Sequence, residues 1–195
     1  MFMDKFLPSL PQTNPATGRG EIIVVDDNRT NLSVMGLRLT RMGYATTLVD
    51  GPITALDMIQ AQRFDLMILN MTMPLMSGIS VLGEIRAEPM TRYMPVLMIT
   101  ARSDPGAAID ALGAGADDHV VKPFDFDTLG ARIERLLDRA RTLEGLRRAN
   151  AALDARIAHR AVELSEVRAE LAEAEAAHRE LQQQYQALSE TTWHG

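Results

Sequence analysis

Residues 65–78 read DLMILNMTMPLMSG. An acidic residue leads into the unbroken apolar run Leu66 to Leu69, which stops at Asn70 before a loop carrying Pro74 and Ser77-Gly78. A short, wholly apolar run bounded by turn residues marks a strand buried on both faces, the habit of parallel sheets covered by helices. A strand is therefore expected over Asp65–Leu69, with Asn70 just beyond its carboxyl end.

The same pattern extends in both directions. EIIVV (Glu21 to Val25) is a second such strand, and Ala45–Val49, Pro95–Thr100 and His119–Val121 are three more. Between them apolar residues recur at helical spacing: Leu32, Met35, Leu39 and Met42 within Asn28–Met42, closed by Gly43. Further helices are expected over Ile53–Ala61, with Pro52 near its start, over Ile79–Glu88, and over Pro105–Leu112, opened by Asp104-Pro105. From Asp127 the chain reads as helix almost to its end. Strands alternating with helices imply an α/β, doubly wound parallel sheet with right-handed crossovers. In such sheets, ligands sit beyond the carboxyl ends of the strands, near the switch in strand order.

The strand ends carry a chemically coherent set. Asp26-Asp27 follow the first strand, Asn70 and Thr72 the third, Thr100 closes the fourth, and Lys122-Pro123 follows the fifth. Adjacent carboxylates supply hard oxygen ligands for a Mg²⁺ that keeps several waters. A lysine point charge and a hydroxyl suit phosphoryl oxygens. A carboxylate at position 70 would complete the set as a nucleophile forming an acyl phosphate. Each residue type alone is common in turns, and the joint spacing is what carries the reading. Met67, Met71, Met73 and Met76 read as core and loop packing.

The chain resembles the response regulator receiver family of two-component signalling over residues 20–140. The resemblance is carried by VVDDN (24–28), DLMILNMTMPLMSG (65–78), ITA (99–101) and GADDHVVKPF (115–124), in that order. It implies a flavodoxin-like (βα)5 fold, and Mg²⁺ held by Asp26, Asp27, residue 70 and the Thr72 carbonyl. It also implies Thr100 as the hydroxyl turning toward a phosphoryl group, Lys122 as counter-charge, and a cis bond before Pro123. His119 falls where the family has an aromatic switch residue. The implied partner is a histidine kinase or phosphotransfer protein.

Asn70 departs from the family pattern at the phosphoacceptor position. An amide has no anionic oxygen to attack phosphorus, so phosphotransfer cannot begin there. Asn is nearly isosteric with Asp, and the pocket should keep its shape. Charges about 5 Å apart interact by roughly 3 kcal/mol at an effective dielectric of 20. The exchange removes repulsions with Asp26 and Asp27 and an attraction with Lys122, and Mg²⁺ affinity is expected to fall. An engineered inactive form and a natural receiver that works without phosphate both remain open.

Among 195 residues there is no cysteine, which excludes disulfides, thiolate metal sites and thiol nucleophiles. Hydrophobic residues make up 46% and charged residues 24%, and no run is long enough to span a membrane. The first residues lack a secretory signal pattern, and a cytoplasmic location is expected. A net charge of −6 argues against an extended nucleic-acid surface.

Four segments are expected: a leader (1–19), the receiver-like domain (20–140), a parallel dimeric coiled coil (141–190) and a tail (191–195). The coil rests on a heptad stripe: Leu143, Asn150, Ile157, Leu164, Leu171, His178 and Tyr185, with Leu146, Leu153, Arg160, Val167, Ala174, Leu181 and Leu188 three residues on. Asn150 at a core position favours a parallel, in-register pair. Such a homodimer would carry the domain's state to an output outside this chain, such as cyclic-di-GMP turnover or a kinase. The alternative is a phosphorylation-independent scaffold that only dimerises. Zipper-style DNA binding is disfavoured, since Glu134, Asp138 and Glu144 interrupt the arginines from Arg132 to Arg148. A free-standing enzyme is not expected without a nucleophile at position 70.

Overall fold

The computed structural model describes residues 18–101 and 106–192. Most of the expected leader, the Asp104-Pro105 helix opening and the end of the tail lie outside them. The chain divides into two compact units, one ending at Thr142 and the other beginning at Leu143.

The first unit holds β1 (Glu21–Val25), α1 (Arg29–Arg41), β2 (Ala45–Val49), α2 (Pro52–Ala61), β3 (Leu66–Asn70), α3 (Gly78–Ala87), β4 (Val96–Ala101), α4 (Ala107–Gly113), β5 (Asp118–Lys122) and the start of α5 (Phe126–Thr192). All strand pairs are parallel, in the order β2-β1-β3-β4-β5. This is the flavodoxin-like arrangement. After β1 the chain passes to one side to form β2 and then returns to form β3 on the other, so the switch in strand order lies between β1 and β3.

Strand alternation divides the core. Ile22, Val24, Leu66, Ile68, Leu97 and Ile99 pack toward α1 and α5, with Leu129, Ile133, Leu136 and Leu137 of α5 buried among them. Ile23, Val25, Met67, Leu69, Val96 and Met98 pack toward the opposite helices with Val81, Leu82 and Ile85 of α3. Both faces are covered, which is why the middles of β1, β3 and β4 are wholly apolar. Met67 and Met73 are buried, and Met71 and Met76 lie partly buried against the same cluster, so all four methionines pack as expected.

The elements deviate from expectation by a residue or two. Asn28 is the cap of α1 rather than its first residue: its side chain accepts from the Thr30 and Asn31 amides. Gly43 follows that helix at φ +91°, a conformation glycine adopts without cost. Strand β3 reaches Asn70, which pairs with Ile99. The leader was expected to run to residue 19, yet Arg19 is tied to the domain: its guanidinium meets Glu134 at 2.8 Å, and its carbonyl accepts from Arg141. Helix α5 includes Thr191 and Thr192, which were expected in the tail.

From Leu143 onward the described side chains are exposed, and the stripe residues Leu146, Leu153, Ile157, Leu164, Val167, Leu171 and Leu181 are all open on the single chain. No described helix is long and apolar enough to cross a membrane.

Candidate functional site

At the switch point the polypeptide delivers Asp26 and Asp27 from β1 and Asn70 from β3 to one edge, while Lys122 arrives at the end of β5. Asp26 is 4% exposed. A carboxylate so buried is tolerated only when its oxygens are satisfied. Its Oδ1 accepts from the Asn28 amide at 2.8 Å and from Asn31 Nδ2 at 3.2 Å. Its Oδ2 accepts from Asn31 Nδ2 at 3.2 Å and from Lys122 Nζ at 3.0 Å.

Asn70 links the remaining members. Its Oδ1 accepts from Lys122 Nζ at 3.3 Å, and its Nδ2 donates to Asp27 Oδ1 at 3.2 Å and to the Thr72 carbonyl at 2.7 Å. Lysine can only donate and a carbonyl can only accept, so one orientation of the amide satisfies both neighbours. Thr100 is 1% exposed on β4, one residue beyond Ile99, the strand partner of Asn70. The Lys122-Pro123 bond is cis, as the resemblance implied.

Asp26, Asp27, Asn70, the Thr72 carbonyl and Lys122 therefore form one hydrogen-bonded group, with Thr100 buried at the same sheet edge. His119 stands apart, three residues earlier on β5 and opposite Met98. Its imidazole is partly buried, and its Nδ1 is enclosed without a hydrogen-bond partner among the described residues.

The model of the response regulator receiver domain matches residues 22–134. The chain belongs to the response regulator receiver family. This receiver is 35% identical to the chemotaxis protein CheY of Pseudomonas aeruginosa over 120 residues, covering 61% of this chain and 97% of that protein. It is 36% identical to the transcriptional regulatory protein ZraR of Escherichia coli K12 over 124 residues, 64% of this chain but only 28% of ZraR. Among solved structures it resembles the receiver domain of sensor histidine kinase PA1611 of P. aeruginosa, at 33% identity and TM-score 0.58, covering 61% of this chain and 98% of that one. That domain has a magnesium ion coordinated in its active-site cleft. A putative response regulator from Chloroflexus aurantiacus is similar at 30% identity and TM-score 0.59, covering 61% of this chain and 98% of that one.

Receiver domains bind Mg²⁺ in this cleft, but the side chains of this receiver do not fit the ion as they stand. Mg²⁺ demands oxygen ligands in near-octahedral array. Both Asp26 oxygens are committed within the protein, and the Asn70 amide nitrogen bridges Asp27 Oδ1 and the Thr72 carbonyl. Among the described residues no three acidic or histidine side chains group to hold a metal.

Sequence reasoning missed residues that build this receiver's pocket and others that brace the amino ends of its strands. Gly78 opens α3 where a Cβ would lie 2.4 Å from the Asn70 carbonyl oxygen and 2.9 Å from Met71 Cα. Asn31 clamps Asp26, and helical spacing one turn after the strand could have suggested it. Asp118, buried on β5, pairs with Arg132 at 2.7 Å and Arg135 at 2.8 Å on α5. Burial works against its charge, but the Arg132 bond, the His119 backbone amide and both guanidinium charges outweigh that and hold its carboxyl below the usual range. Arg86 reaches Asp117 at 2.9 Å and the carbonyls of Arg92, Met94 and Gly115, fastening the end of α3 to the approaches of β4 and β5. Burial lowers the Arg86 pKa, while the charge of Asp117 and its hydrogen bond oppose that shift.

Proposed function

We propose that this receiver relays its state through a paired C-terminal helix to an output, and that, with Asn70 at the phosphoacceptor position, it does not accept phosphate there. Receiver domains are signalling modules that interact with histidine kinases or phosphotransfer proteins, and such a protein is the proposed partner here. The observation that carries the reading is Asn70 at the end of β3, within hydrogen-bond reach of Lys122 and Asp27. In the proposed assignment Asp26 and Asp27 are the acidic pair, Lys122 and Thr100 face the phosphoryl position, and His119 is the switch residue on β5. The proposed location is the cytoplasm, and the proposed assembly is a homodimer through residues 141–190. The output lies beyond what the chain shares with ZraR, of which it spans 28%.

The second reading, a scaffold that dimerises without phosphate, is favoured by the self-satisfied hydrogen bonding of Asn70. One experiment tests the assignment and separates the two. Asn70→Asp is expected to be labelled by acetyl phosphate in the presence of Mg²⁺ while the unaltered chain is not. A folded N70D protein that stays unlabelled overturns the pocket assignment. If labelling shifts the dimer dissociation constant, the relay stands; a labelled protein with an unchanged constant is a scaffold.

A further inference from the structure

Asn70 does more than subtract a negative charge. Both hydrogens of its amide point at Asp27 Oδ1, 3.2 Å from the nitrogen, and at the Thr72 carbonyl, 2.7 Å away. Those are two of the oxygens that a divalent cation in this cleft would draw on. We infer that the Asn70 amide nitrogen occupies the cation's seat, so that this side chain excludes a divalent metal instead of merely failing to ligate it. The inference rests on residue 70 being the phosphoacceptor position.

The neighbours make the arrangement self-locking. A primary amide is a neutral group with a positive N–H edge, and here that edge ties the loop after β3 to the loop after β1. An entering cation must break both hydrogen bonds. Turning the amide so that its oxygen faces the metal would then set the N–H edge against Lys122 Nζ, donor against donor, where the oxygen now accepts at 3.3 Å. Asp26 offers no alternative, because Lys122, Asn28 and Asn31 already use both of its oxygens.

Simple loss of charge and occupation of the seat predict opposite outcomes for alanine. If only a ligand is missing, Asn70→Ala, which has no oxygen at all, binds metal no better than the unaltered chain. If the seat is filled, N70A vacates it and binds more tightly. The test is titration of the full chain with Mn²⁺, followed by the resonance of the free hydrated ion, with Mg²⁺ as competitor.

N70A is expected to bind about tenfold more tightly, since two net hydrogen bonds no longer have to be broken. Lys122→Met frees the amide to turn, so its gain in affinity should be clearly larger in the unaltered chain than in the N70A background. An N70A protein with a normal thermal melt and no gain in affinity overturns the inference, as does an equal K122M gain in both backgrounds. Should N70A fail to fold, Asn70→Ser makes the same comparison. N70D separates the levels: tight Mn²⁺ binding by N70D without a gain in N70A removes only this inference, whereas loss of binding in both removes the pocket assignment too.

Discussion

Asp118 is a buried carboxylate whose two arginine partners both come from α5, so it fastens the last strand to the last helix of the domain. Because its carboxyl is held below the usual range, the stability it supplies is complete above the unfolded carboxylate pKa of about 3.9 and is lost as pH falls through the lower folded value. Asp118→Asn is expected to cost about 2 kcal/mol at neutral pH, the range for charge-assisted hydrogen bonds in a buried position. In acid the penalty should shrink, so denaturant melts of the two proteins converge as pH falls through that lowered folded value. A constant difference across that range would refute the role. Nothing local in GADDHVVKPF distinguishes Asp118 from Asp117. The first turns inward to α5 and the second to Arg86, and only strand alternation in the folded sheet separates them.

The turn from β3 into α3 shows how an element boundary shapes the pocket. Gly78 lies against the backbone of Asn70 and Met71, and neither contact is the flexible end of a side chain. Gly78→Ala is expected to destabilise the domain by about 1–3 kcal/mol, the usual cost of overpacking, as read by thermal or urea melts. In the N70D background it should also slow labelling, because the loop carrying Thr72 must move. Equal stability of G78A and the unaltered chain would mean that this close approach relaxes freely. The helices and strands themselves were readable. IIVV and LMIL are apolar runs that only a sheet covered on both faces can bury, and Leu32, Met35 and Leu39 turn the same way on α1. Asn28 was read as the first helical residue and proved to be the cap, since helix spacing does not reveal which residue keeps an extended backbone.

Across the whole molecule, the described residues from Leu143 to Leu181 leave an apolar stripe open on the single chain. Pairing with a second copy is the economical way to bury it. Sedimentation is expected to give a dimer at tens of micromolar, and Leu164→Asp a much weaker one; a monomer for the unaltered chain would remove the coil proposal. The arginines that precede the stripe do not form a free basic face: Arg132 and Arg135 bind Asp118, Arg141 binds Asp138 and the Arg19 carbonyl, and Arg148 binds Glu144. Residue order alone was enough to establish the parallel sheet and to put Asp26, Asp27, Asn70 and Lys122 at strand ends, because hydrophobic period encodes burial and strand ends in such a sheet must meet along one edge. Which way the Asn70 amide turns, which aspartate meets which arginine, and how closely Gly78 approaches β3 were decided by tertiary structure. Those depend on distances between groups far apart in the chain, and donor and acceptor assignments exist only once both partners stand within hydrogen-bond reach.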